Sequence, residues 1–132
     1  MTKTFTQNIV FKNVDAKSLY ELYLNQEKHS DVTNSEARIE AKENSKFSAY
    51  DEYITGKNLL LIPNVLIVQS WRASDWEDED IDSIFIIKFE QQGKNVLMNI
   101  THANVPDIHA ASLDKGWHEH YWDLWKAYLN SK

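Results

Sequence analysis

Between Thr4 and Phe11 the residues Phe5, Gln7, Ile9 and Phe11 share one parity, the period of a strand with one buried face, and the strand ends at Asn13. Then the period changes. Asp15 precedes a run in which Leu19, Leu22 and Tyr23 recur at helical spacing, predicting an N-capped short helix from Ala16 to about Asn25 and a further turn over 27–32. From there short extended segments take over at 36–41, 46–50 and 52–61, separated by Glu43-Asn44-Ser45 and a turn near Asp51. After Pro63-Asn64, the segment 65–72 carries Val65, Ile67, Gln69 and Trp71 on one face and Leu66, Val68 and Ser70 on the other, as a central strand does. Two more strands, 83–90 and 95–102, flank the hairpin turn Gln91-Gln92-Gly93-Lys94. Parity groups Phe85, Ile87 and Phe89 on the first and Val96, Met98, Ile100 and His102 on the second, so His102 ends a core-facing row. Val105-Pro106-Asp107 breaks the strand. From 108 to 130 the spacing is helical, with Trp117, Tyr121, Leu124, Trp125, Tyr128 and Leu129 in one aromatic stripe and Glu119, Asp123, Lys126 and Asn130 opposite. The order is one strand, short helices, about six more strands and a long helix, an α+β layout with helices on one face of an antiparallel sheet.

Composition narrows the classes. A chain of 132 residues supports one domain, 1–132, and 42% hydrophobic residues with five Trp, six Tyr and five Phe supply a large core. There is no cysteine, which excludes disulfides, thiolate metal sites and cysteine nucleophiles and suits a reducing cytoplasm. Neither a leader pattern at Met1 to Ile9 nor an apolar run long enough for a membrane span is visible. A formal charge of −6 with scattered Lys and Arg opposes nucleic-acid binding. Much of that charge lies in Asp75-Trp76-Glu77-Asp78-Glu79-Asp80-Ile81-Asp82, which reads as a solvated connection.

Candidate chemistry is sparse. His118 and His120 lie two apart on the predicted helix and diverge by about 200°, so no metal site is expected there, and the glycines match no phosphate-binding spacing, so no cofactor is expected. Asp51 and Glu52 are neighbours in a turn, without the geometry of an acid–base pair. Arg72 and His102 each follow apolar strand residues, where a polar group either orients a ligand at a cavity edge or bonds locally, Arg72 to the acidic loop and His102 to backbone near Pro106. The stripe of Trp117, Tyr121 and Trp125 faces Phe85, Phe89, Met98 and Trp71, and either lines a pocket or fills it.

The segment from Gly116 to Leu129 resembles the terminal helix of the domain related to the C-terminal part of the activator of the heat-shock-protein-90 ATPase, within the START-like or SRPBCC superfamily. Val14-Asp15-Ala16 with Leu19-Tyr20-Glu21-Leu22-Tyr23, then Val68-Gln69-Ser70-Trp71-Arg72, then Thr101-His102-Ala103-Asn104-Val105-Pro106 agree with it in order, so the likeness covers nearly the whole chain. Each piece alone is weak; their joint order is specific. The resemblance implies a helix-grip fold, a curved antiparallel sheet around one long C-terminal helix, often with a cavity for an apolar small molecule. It also motivates two kinds of partner: an apolar or amphipathic ligand, for which the residues read above supply Trp71, Arg72, Phe85, Phe89, Met98, His102, Trp117, Tyr121 and Trp125, or a chaperone met by the acidic loop and the exposed sheet surface. The co-chaperone that names the family carries a separate N-terminal domain that these residues do not include.

Overall fold

In the computed structural model, which describes residues 1–131, the strands join in one antiparallel sheet. They are β1 (Thr2–Phe11), β2 (Lys46–Ala49), β3 (Ile54–Ile62), β4 (Leu66–Ala73), β5 (Ser83–Gln92) and β6 (Asn95–Pro106), in the order β1-β6-β5-β4-β3-β2. The sequence pattern predicts one strand too many, because 36–41 makes only an isolated bridge, Arg38 to Ser48. Side chains take over its backbone donors: Asp51 accepts from Glu36 N, Ser30 from Ala37 N and Gln26 from Ile39 N. A segment so satisfied has no need of a ladder.

β4 is central, between β3 and β5, and its residues Ile67, Gln69, Trp71 and Ala73 are buried on one face. The β5–β6 hairpin has the predicted parity, with Phe85, Ile87, Phe89, Val96, Met98, Ile100 and His102 all buried. Its turn closes between Gln92 and Asn95, where Gly93 takes φ of 61°. Register shifts at Lys3/Phe5 and at Asn58/Leu60 bend the sheet toward its concave face.

Helices α1 (Ala16–Leu24) and α2 (Gln26–Thr33) follow β1. The Asp15 carboxylate accepts from Ser18 N at 2.8 Å, as its position predicts, and the Asn25 side chain accepts from Lys28 N at 3.0 Å, so the turn expected at 27–32 is a second capped helix.

The long C-terminal helix has three parts: α3 (Asp107–Trp117), a π-helical turn (His118–Trp122) and α4 (Asp123–Asn130). In an unbroken α-helix a residue five positions after Trp117 would point about 140° away from it. Here the wider turn brings Trp122 under Trp117, with the two rings stacked at 5.5 Å and 12°. Trp122 is fully buried, and the predicted stripe is corrected accordingly: Trp117, Tyr121, Trp122 and Trp125 form the buried face, while Leu124, Tyr128 and Leu129 are half-buried at its border. Gln7 of β1 fastens this helix to the sheet, accepting from Trp122 Nε1 at 2.8 Å and donating to the Asp114 carbonyl and carboxylate. The result is the helix-grip architecture. Among the described residues no helix is long and apolar enough to cross a membrane.

Candidate functional site

Between the sheet and the first half of the long helix lies a cavity of about 450 Å³. Tyr50, Tyr53 and Ile54 bound it from the turn into β3, Trp71 from β4, and Leu113, Gly116, Trp117, His120 and Tyr121 from α3 and the π-helical turn. Tyr50, Asp51 and Glu52 all take positive φ, at 51°, 55° and 71°, a left-handed stretch built without glycine. That stretch carries Tyr50 across the mouth, where its hydroxyl donates to the His120 carbonyl at 2.5 Å and its ring meets the edges of His120 and Tyr121. Burial pushes the Tyr50 hydroxyl up to about 12, so it remains a donor near neutral pH.

Behind the cavity His102 ties helix to sheet. The Trp117 indole can only donate, so its 3.0 Å bond to Nδ1 makes that nitrogen an acceptor. The proton therefore sits on Nε2, which donates to Ser83 Oγ at 2.8 Å, and the Ser83 hydroxyl in turn donates a hydrogen bond to the Trp71 carbonyl at 2.6 Å. Every donor and acceptor on the imidazole is used. Burial lowers its pKa to about 3, which keeps the ring neutral. With both nitrogens committed, His102 has no lone pair or proton to offer a substrate in this arrangement.

A second relay supports Tyr121. His29 Nδ1 lies 2.8 Å from the Tyr23 carbonyl, an acceptor, so it carries the proton and Nε2 accepts from the Tyr121 hydroxyl at 2.9 Å. Burial lowers His29 to about 4 despite the carbonyl that opposes the shift. The Tyr23 hydroxyl continues to Gln69, Gln69 to Asn58 and Asn58 to the Glu40 carbonyl. The cavity's back wall is thus fixed by satisfied polar chains that cross the core. One exception stands among the described residues: Trp71 Nε1 is buried and has no hydrogen-bond partner.

The nine residues proposed from sequence divide into groups. Trp71, Trp117 and Tyr121 line the cavity. Phe85 lies flat against Trp117 at 4.0 Å and 4°, filling space behind it, and His102 is buried behind the same wall. Phe89, Met98 and Trp125 are buried in solid core away from the opening, with Trp125 against Phe11 and Trp122. Arg72 is a correction: strand alternation turns it away from Trp71's face, and it donates to the Asp80 and Glu77 carbonyls and to the Asp82 carboxylate. The local alternative for Arg72 is therefore the observed one, whereas His102 bonds Trp117 and Ser83 and not backbone near Pro106. The acidic segment is less solvated than its charge predicts. Trp76 is buried within it, 5.7 Å from the Trp71 ring and stacked on His109.

Sequence reasoning missed Tyr50, Tyr53, Ile54, Leu113, Gly116 and His120 as wall residues. Gly116 carried a signal, since glycine inside a helical pattern asks for a reason. The Tyr50 stretch carried none, because nothing in Tyr-Asp-Glu announces a left-handed backbone. No group of three or more His, Cys, Asp or Glu among the described residues is arranged to hold a metal ion.

Comparison with known proteins agrees with the architecture. A crystal structure of an HSP90 activator from Plasmodium falciparum superposes with a TM-score of 0.88 at 19% identity, covering 96% of both chains. A Mesorhizobium loti protein gives a TM-score of 0.81 at 12% identity over 98% of both chains. In sequence, an activator of 90 kDa heat shock protein ATPase homolog from Dictyostelium discoideum is 31% identical over 74% of this chain and 26% of its own length. The human homolog 1 is 24% identical over 81% of this chain and 31% of its own, so the match spans about a quarter to a third of these relatives. The model for the family described as Activator of Hsp90 ATPase homolog 1-like protein matches residues 13–130, and the chain belongs to that family.

Proposed function

We propose that the protein is a binding module that holds an apolar or amphipathic small molecule between its sheet and its C-terminal helix. The observation that carries this reading is the cavity, whose volume of about 450 Å³ falls within the range of small-molecule pockets. Gly116 adds support. Glycine inside a helix costs about 1 kcal/mol relative to alanine, yet a Cβ at this position would meet nothing nearer than His120 Cδ2 at 3.7 Å. No protein atom demands glycine there, and the position borders the cavity, so a larger side chain would enter it. Native mass spectra of protein purified without delipidation, beside the same protein denatured and refolded, test the reading. We expect an added mass that refolding removes and that Gly116→Leu, which plugs the cavity, never acquires. A wild-type protein that carries no added mass and takes none up from a lipid and metabolite extract would sink it.

A second reading follows from the family and from the HSP90 activator that matches this chain over 96% of both lengths: a stress-associated co-chaperone module. Glu77, Asp78 and Glu79 project from the acidic segment and are exposed, which suits a basic partner surface. Addition of the protein to Hsp90 from the same cell should raise ATP turnover, and Glu77→Gln with Asp78→Asn and Glu79→Gln should reduce the effect. Unchanged turnover with the wild-type chain rules out this reading.

A further inference from the structure

The helices pack on the face of the sheet that carries Trp71 and Phe85, where Trp117 meets both rings and Tyr23 meets Phe85. Alternate residues point to the opposite, convex face, where an antiparallel sheet with one wet side ordinarily carries polar groups. Here the middle of that face is apolar. Leu60 stands opposite Val68 and Val68 opposite Ile86, Ile62 and Leu66 form the next pair, and Ile84 lies two residues from Ile86 on the same strand. The register shift at Asn58/Leu60 turns Leu60 and Ile62 outward, since unbroken counting from Lys57 would send Leu59 and Leu61 there instead. Leu60 is 41% and Ile62 43% exposed, and the other four are half-buried.

Lysines stand at both ends of this patch. Lys46 lies directly opposite Lys57 in the row that continues through Ser70 to Ile84, and Lys88 lies opposite Leu66 at the other end. None of the three belongs to an ion pair among the described residues. Like charges directly opposite each other destabilise a strand pair, and an arriving carboxylate relieves them. The carboxylates nearby are largely committed: Asp82 to Arg72, Glu43 to Leu61 N and Glu90 to the Gln92 amide, while Glu52 borders the depression at Lys46 and Lys57 and offsets one charge of the three. In a chain of net charge −6 this is a local excess of positive charge around an apolar surface.

We infer that the convex face is a docking surface for an acidic amphipathic helix of a partner protein, which lays an apolar stripe on Leu60, Val68 and Ile86 and brings carboxylates to Lys46, Lys57 and Lys88. The backbone groups of β4 and β5 are already paired within the sheet, so recognition here falls to side chains. An extended segment laid flat on the patch would bury unpaired N–H and C=O groups, whereas a helix brings its own already bonded. A second copy of the chain would set the same lysines around both halves of the contact. An anionic bilayer would be repelled by Glu77, Asp78 and Glu79, exposed on the segment that Arg72 fastens to the rim of this face, while a helix can stop short of it.

NMR titration of the isotope-labelled full chain with three synthetic helices of one alanine framework tests this. One carries a leucine stripe flanked by glutamates, the second has lysines in place of the glutamates, and the third has serines in place of the leucines. The first should bind about tenfold or more tighter than either of the others, as several exposed charge pairs and a buried stripe together allow. It should shift the amides of Leu60, Val68 and Ile86 and leave those of Trp117 and Tyr121 in place. Lys46→Glu with Lys57→Glu, both on exposed positions, should reverse the order of the glutamate and lysine helices. Equal affinity for those two helices, an unchanged order in the variant, or amide shifts centred on the cavity or the acidic segment overturns the inference, and so does no binding of any of the three. Cosedimentation of the chain with phosphatidylserine vesicles that is lost in the same variant assigns the face to a membrane and overturns it. Self-association in sedimentation equilibrium that Leu60→Ser with Ile62→Ser abolishes assigns the face to a second copy and overturns it too.

Discussion

The two ends of the interface between the long helix and the sheet are built from the same kinds of residue and do opposite things. At the C-terminal end Trp125 closes on Phe11 and on Trp122, Gln7 satisfies the Trp122 indole, and the core is solid. At the N-terminal end Trp117, Tyr121 and Trp71 border open space, with Trp117 bonded to His102 and Tyr121 to His29. Aromatic content alone therefore does not separate a filled core from a pocket. Both ends tie an indole to the sheet, Trp122 to Gln7 of β1 and Trp117 to His102 of β6; what separates them is that Tyr121 is tied to His29 of α2 and Tyr50 to the His120 carbonyl, with the space between left unfilled.

The sharpest way to break the comparison is to remove one ring from the solid end. Trp122→Ala should lower the unfolding free energy by about 3–5 kcal/mol, and more if Gln7 is left unpaired, whereas Leu113→Ala, half-buried at the open end, should cost clearly less. Urea denaturation of both variants tests this, and equal losses would mean that the open end is as tightly packed as the closed one.

Acid should act on the open end through its two buried histidines. Their folded values are lowered to about 4 and about 3, while in the unfolded chain a histidine titrates near 6.5. The unfolded state therefore binds protons first as pH falls, so this stability is fully present above about pH 6.5 and declines steadily toward pH 4 and below. Between pH 7 and pH 5 the loss is about 2 kcal/mol for each histidine, read from denaturation curves at the two values. His29→Gln should flatten that slope by about half, and an unchanged slope would place the acid sensitivity elsewhere.

Smaller effects sharpen the picture. Gly116→Ala should stabilise the helix by about 1 kcal/mol while weakening retention of any molecule held in the cavity, a stability gain at the expense of binding. Arg72→Ala touches neither end. It frees the acidic segment, should cost about 1 kcal/mol or less because the ion pair with Asp82 is partly exposed, and should leave cavity binding unchanged.

Much of this fold was legible because strand parity and a capped helix start are local properties. Val96, Met98, Ile100 and His102 fall on one face by counting in twos, and Asp15 caps the helix that follows it. The site was legible only in part, because it depends on events that counting cannot see. The π-helical turn breaks the period that the aromatic stripe was read from, so Trp122 was left out of the buried face. Arg72 sits one residue from Trp71, and the alternation that buries Trp71 also sends Arg72 to the acidic segment. The extended pattern at 36–41 failed for a different reason: Asp51, Ser30 and Gln26, far apart in sequence, took its donors.

The wide turn at His118–Trp122 also makes the long helix two cylinders in different rotational phase. One residue's worth of rotation, about 100°, separates the surface that α3 shows the sheet from the one that an unbroken helix would continue through α4. Rewinding 118–122 as ordinary α-helix with every residue kept would swing Trp125 away from Phe11, so the wide turn, which absorbs one residue, is what keeps the anchoring half on the sheet. Substitutions upstream carry no such penalty, which leaves the shape of the cavity free to diverge while the anchoring half of the helix stays in register.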